Sequence, residues 1–69
     1  GYAQVKDSAD TLLHLVQENG GRLALNDDST PEEVARRTGM SKKVFKRSLG
    51  MLLKSGRVTV NEQGIKLNQ

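Results

Sequence analysis

An α+β fold, ordered helix–strand–helix–helix–strand–strand around a small three-stranded antiparallel sheet, is predicted from three features of this 69-residue sequence. Apolar residues recur at helical spacing in three separate segments. Three short runs alternate apolar and polar residues at the period of a strand. Two of the helices are joined by a tight turn, Gly39-Met40-Ser41, and a short Gly-containing turn between helices marks a helix-turn-helix. The order of the six elements is that of a winged helix-turn-helix.

The length admits one domain. We read residues 1–6 as a linker stub and 7–69 as the folded unit. A domain this short buries only about 60% of the surface its unfolded chain exposes, so its core must be compact. There is no cysteine to staple it, which excludes disulfides and thiolate zinc sites. No apolar run approaches the roughly 20 residues that cross a bilayer, so no membrane role is expected.

Ser8 is read as the cap of a first helix that starts at about Asp7 or Ser8 and ends at Glu18, with Ala9, Leu12, Leu13 and Val16 as its buried stripe. His14, the one histidine, falls on the polar face with no second ligand in phase. Asn19-Gly20-Gly21 stops the helix. Arg22-Leu23-Ala24-Leu25 then alternates as a short strand, and Asn26-Asp27-Asp28-Ser29 has the composition of a turn. Asp27 and Asp28 lack the oxygen count and spacing of a calcium loop.

Thr30-Pro31-Glu32-Glu33 is the clearest helix start. Thr30 caps, Pro31 takes the first helical position, and Glu33 is placed to reach back and complete a capping box. Both glutamates suit the positive end of the helix dipole, so they are structural carboxylates. Val34, Ala35 and Thr38 are expected to face inward, Gly39 ends the helix, Met40 packs inward, and Ser41 caps the next helix.

That third helix is two-faced. At roughly 100° per residue, Lys42, Lys46, Gly50, Lys43, Lys54 and Arg47 fill one arc of about 140°. Met51, Val44, Ser48, Leu52, Phe45 and Leu49 fill the opposite arc, with Leu53 at the basic edge. Ser48 in the apolar arc points to close packing with its hydroxyl bonded to the preceding turn. Gly50 is out of place, because a mid-helix Gly costs about 1 kcal/mol relative to Ala. Either a partner or another element of the fold approaches the backbone there. After Ser55-Gly56, the runs Arg57-Val58-Thr59-Val60 and Ile65-Lys66-Leu67 alternate as a hairpin with Val58, Val60, Ile65 and Leu67 inward. Its wing, Asn61 to Gly64, carries no Lys or Arg, which suits a minor groove poorly.

The net charge of +3 hides a strong asymmetry. Residues 1–33 hold two basic and seven acidic residues, and residues 34–69 hold nine basic and one acidic. A basic block in phase on one helix face suggests a surface for a polyanion.

Two blocks resemble the C-terminal domain of the conserved virulence factor B family. One is Glu18-Asn-Gly-Gly21 with Leu23-x-Leu25, Asn26-Asp27-x-Ser29-x-Pro31-Glu-Glu33. The other is Gly39-Met-Ser-Lys-Lys-Val-Phe-Lys-Arg-Ser-Leu-Gly50, followed by Gly64-Ile-x-Leu67. The resemblance covers about residues 12–67. It implies a cytoplasmic bacterial protein in which OB-fold domains like those of ribosomal protein S-one precede this winged helix, linked to RNA binding and virulence-gene regulation. Ser48 and Leu53 stand where the family is expected to carry Ala and often Tyr, differences of packing more than charge.

Three classes of function follow in order. The first is a nucleic-acid-binding module, RNA ahead of DNA. Lys42, Lys43, Lys46, Arg47 and Lys54 would contact phosphates. Arg36, Arg37 and Arg57 could widen the patch, and Ser41 with the first amides of the third helix could hold one phosphate. Phe45 points to the core, so no aromatic platform stacks bases, and the third helix has no Asn or Gln to read adenine. Binding should be weak, salt-sensitive and directed at the backbone. The second class is a docking module, using the acidic first helix or the basic third helix toward a protein surface. Exposure of Met51 or Leu53 would favour it. An enzyme comes last: there is no Cys, no glycine-rich phosphate loop and no carboxylate pair free of a capping or turn role. No cofactor is expected, and the isolated domain is expected to be a monomer.

Overall fold

A computed structural model of the chain describes residues 2–68, with side chains from residue 7 onward. The elements are α1 (Tyr2–Glu18), β1 (Arg22–Leu23), α2 (Pro31–Thr38), α3 (Lys42–Lys54), β2 (Val58–Asn61) and β3 (Gly64–Leu67). The sheet is antiparallel in the order β1-β3-β2. This is the α+β winged-helix order that the periodicities predict.

The core is built where the apolar stripes converge. Ala9, Leu12, Leu13 and Val16 of α1 meet Val34 of α2, Met40 of the turn and Phe45, Leu49 and Leu52 of α3. Leu23, Leu25, Val58 and Ile65 close it from the sheet side. The broadest contact between elements is α1 against α3. That contact fixes which face of α3 is turned outward.

Several local expectations need correction. α1 starts at Tyr2, so Ser8 lies inside the helix instead of capping it, and the stretch read as a linker stub is helical from Tyr2 on. Ala3, Gln4 and Lys6 are good helix formers with no Gly or Pro among them, and a Ser in mid-helix looks like a cap when only the sequence is seen. β1 is two residues long, although Leu23 and Leu25 are both buried as the alternation requires. Ala35 is exposed, while Val34 is buried and Thr38 half-buried.

The capping of α2 follows the predicted pattern only in part. The Glu33 N–H donates to Thr30 Oγ1 at 3.2 Å. The Glu33 carboxylate does not reach back, however, and instead accepts from the Arg36 guanidinium at 2.9 Å. The turn into α3 is held by Thr38, whose hydroxyl donates to the Val34 carbonyl at 2.6 Å and accepts from the Met40 N–H at 3.0 Å. The Val44 N–H then donates to Ser41 Oγ at 3.2 Å, starting α3 where expected.

Ser48 departs from expectation in a way that can be tested. Its side chain is fully buried, yet its hydroxyl finds no partner among the described residues. A buried, unsatisfied hydroxyl costs about 1–3 kcal/mol. Ser48→Ala should therefore stabilise the domain by about 1–2 kcal/mol, helped by alanine's higher helix propensity. The check is a urea unfolding curve whose midpoint rises at unchanged slope. A midpoint that stays or falls would show that the hydroxyl is satisfied in solution.

Candidate nucleic-acid interface

α3 is the element that places the candidate site. Phe45, Ser48, Leu49 and Leu52 are buried and Val44 and Met51 half-buried, so the predicted apolar arc is the packed one. The opposite arc is consequently presented to solvent. Lys43, Lys46, Arg47 and Lys54 are exposed, and Lys42 is half-buried at the edge.

These five cations have no acidic counterpart among the described residues. Among the described residues the ion pairs are His14 with Glu18 and Arg36 with Glu33, and neither involves α3. Their positions also run against helix stability. α2 carries Glu32 and Glu33 in its first turn and Arg36 and Arg37 in its last, as the helix dipole favours. α3 has no acid in its first turn and begins with Lys42-Lys43 at its positive end. Each such charge is unfavourable by about 0.3–1 kcal/mol at an exposed terminus.

Ser41 stands at the start of this face as the N-cap. Its oxygen is occupied by the Val44 N–H, which leaves its hydroxyl proton to donate. The amides of Lys42 and Lys43, first in the helix, have no intrahelical acceptor. Arg57 is exposed just beyond Gly56, where its N–H closes the helix end on the Leu52 carbonyl at 2.9 Å.

Arg36 and Arg37 are placed elsewhere. They line an open groove of about 500 Å³ with Leu15, Glu18, Asn19 and Leu23, and no α3 residue borders it. Arg36 is tied to Glu33 besides. Two cations left out of the sequence-based patch are brought together by the sheet: Arg22 pairs directly with Lys66 across β1 and β3, both exposed. Only the strand register, set by residues more than forty positions apart, could have revealed that pairing.

The wing has no cation of its own and two unlike flanks: Arg22 and Lys66 line a groove with Asn61, Gln63 and Gly64 on one side, and the other side is acidic. Asn26, Asp27, Asp28, Val60, Asn61 and Glu62 line one groove beside it. Asn26 holds that corner together. Its side-chain amide donates to the Asn61 and Glu62 carbonyls, each at 3.3 Å, and its Oδ1 accepts from the Asp28 N–H at 2.8 Å. The acidic flank of the wing is thus opposite in charge to the outer face of α3.

A profile of the CvfB-like winged helix domain matches residues 10–67. The chain belongs to that family. It is 32% identical over 68 residues to conserved virulence factor B of Staphylococcus saprophyticus, covering 99% of the chain and 23% of that protein. It is 38% identical over 50 residues to the uncharacterized protein YitL of Bacillus subtilis, covering 72% of the chain and 17% of that protein. Among solved structures it is similar to a multidomain protein with nucleic acid binding domains from Streptococcus pneumoniae. The TM-score is 0.85 at 36% identity, over 88% of this chain and 21% of that one. This CvfB-like domain therefore spans about a fifth of the length of the relatives it matches.

Proposed function

We propose that this CvfB-like winged helix is a nucleic-acid-binding module, for RNA ahead of DNA, that grips backbone phosphates through the outer face of α3. It would act in the cytoplasm as an accessory to OB-fold domains in the full-length protein. One observation carries the reading: Lys43, Lys46, Arg47 and Lys54 stand together on one exposed face, with half-buried Lys42 at its edge, and none of the five has a carboxylate partner among the described residues. Two of them sit at the helix end where stability alone would place acids. Lys and Arg neutralise phosphates and release counterions, which gives affinity without reading bases.

The same face lacks a stacking platform and an amide reader of adenine. Phe45 is fully buried and cannot stack on a base. α3 has no Asn or Gln for adenine. Affinity for the isolated domain is accordingly expected at a Kd on the order of 10⁻⁴ to 10⁻⁶ M at physiological salt. Neighbouring domains would supply specificity by raising the effective concentration of this module at the same strand.

The test is an NMR amide-shift titration of the domain with a short single-stranded RNA, a hairpin RNA and a duplex DNA, at low and moderate salt. Shifts should cluster on residues 42–54 and fade as salt rises, with RNA producing the larger response. No movement of those amides with any ligand at low salt would refute the reading for this domain.

A docking function has one observation in its favour. Leu53, at the rim of the basic arc, is 39% exposed, whereas Met51 is half-buried. An apolar contact on a basic face could fit an acidic protein surface such as α1, where Asp7, Asp10 and Glu18 are exposed. A single exposed Leu is common on soluble proteins, so this reading stands second.

A further inference from the structure

Gly50 lies near the centre of the basic face of α3, and the fold gives it no reason to be glycine. A Cβ built on it meets no heavy atom within 4 Å, so no other element packs against that point among the described residues. Its backbone is ordinary helix, outside the positive-φ region occupied by five other glycines. A Cβ fits there, and alanine would be more stable by about 1 kcal/mol. Of the two explanations open at the level of sequence, the internal neighbour has no support among the described residues, which leaves an approach from outside the domain to be tested.

The neighbours of Gly50 say what could approach. Residues three and four positions away on a helix are its surface neighbours, about 5–6 Å apart between Cβ atoms. For Gly50 these are Lys46, Arg47, Leu53 and Lys54. Three cations and one exposed leucine mark the corners of a floor formed by bare helix backbone. Lys46 and Lys54 lie one turn either side, about 12 Å apart along the axis at 1.5 Å per residue. Both side chains can bend inward over the gap.

We propose that Gly50 is the seat of one sugar-phosphate unit of a bound nucleic-acid strand, an inference that rests on the nucleic-acid reading above. The strand lies directly on the helix backbone. Its phosphate is gripped between Lys46 and Lys54 with Arg47 on the flank, and Leu53 packs against the sugar. The absence of a side chain brings the phosphate within reach of all three cations at once. A methyl group there would lift the strand by about the length of one carbon–carbon bond, ~1.5 Å.

The proposal makes stability and binding move in opposite directions. Gly50→Ala and Gly50→Leu should both raise the urea midpoint, because alanine and leucine favour a helix and the added Cβ enters open space. Affinity for a short single-stranded RNA, read by fluorescence anisotropy at low salt, should fall about fivefold for Gly50→Ala and further for Gly50→Leu as contacts over the seat are lost. If both variants are stabilised yet bind that RNA as tightly as the wild type, the seat is refuted and the phosphate-gripping face survives. If the wild type itself binds no RNA or DNA, the reading beneath the proposal fails first, and the seat falls with it.

Discussion

Gly64→Ala is expected to destabilise the domain by about 3 kcal/mol or more, lowering its melting temperature by about 15 °C. Two costs combine at this position. The backbone has φ of +124°, a conformation that L side chains rarely adopt. A Cβ there would also fall inside contact distance of the Leu23 carbonyl and only 2.9 Å from the Ala24 Cα. The obstruction is backbone, so no rotamer change relieves it. Nor can that strand retreat, since Leu23 is paired with Ile65 and both Leu23 and Leu25 are buried in the core. The hairpin would have to peel from β1, which opens the sheet side of the core.

Gly20→Ala is the internal control. Gly20 also has a positive φ, +74°, but a Cβ there meets nothing within 4 Å. It should cost only the conformational strain of about 1–2 kcal/mol. A domain of this length is stable by roughly 3–10 kcal/mol at 0.05–0.15 kcal/mol per residue, so the two variants differ between a weakened fold and a largely lost one. The measurement is paired thermal melts followed by far-UV circular dichroism. Equal losses in the two variants would show that the close approach of β3 to β1 is not what requires glycine at 64.

Gly64 illustrates which parts of this molecule are legible in its sequence. It could be read there only as the end of a hairpin turn, because the chain that crowds it lies some forty positions earlier. The helices, by contrast, announce themselves locally. The caps Thr30 and Ser41 act within three residues of themselves, and the apolar arc of α3 is simple periodicity. Reading failed where one side chain has two possible partners. Glu33 could close a capping box or pair with Arg36, and it pairs. Ser48 could bond to its own helix, and it does not. Ser8 could cap or be carried within a helix, and it is carried.

The candidate site divides along the same line. The cations of α3 share one element, so their common face follows from helix geometry alone. Arg36 and Arg37 depend on where α2 is placed in the fold, and they line a groove without α3. The Arg22–Lys66 pair depends on strand register. Gly50 was conspicuous in the sequence, but only the empty space above it separates an internal neighbour from an external one.

Lys43→Glu with Arg47→Glu should reduce RNA affinity at least about a hundredfold, equivalent to about 2.8 kcal/mol. Each substitution removes a phosphate contact and adds a repulsion at the same point. The salt dependence carries the sharper signature. If all five α3 cations neutralise phosphates on a single strand, log K falls against log salt with a slope of about −3.5, at −0.7 per contact. Three cations offset by two new carboxylates leave about one net contact, and the slope should shrink to about −0.7.

Loss of the fold does not offer an escape from that result. Lys43 and Arg47 are exposed and unpaired among the described residues, so their removal leaves no buried charge. Glutamate at position 43 would stand in the first turn of α3, where the helix dipole favours it by about 0.3–1 kcal/mol. The variant should therefore melt no lower than the wild type. If α3 instead docks a protein surface, the same variant should keep whatever RNA affinity the wild type has and lose association with its acidic partner. A stable double variant with unchanged RNA affinity and an unchanged salt slope would remove the phosphate-binding role from α3 and leave docking as the use of its basic face.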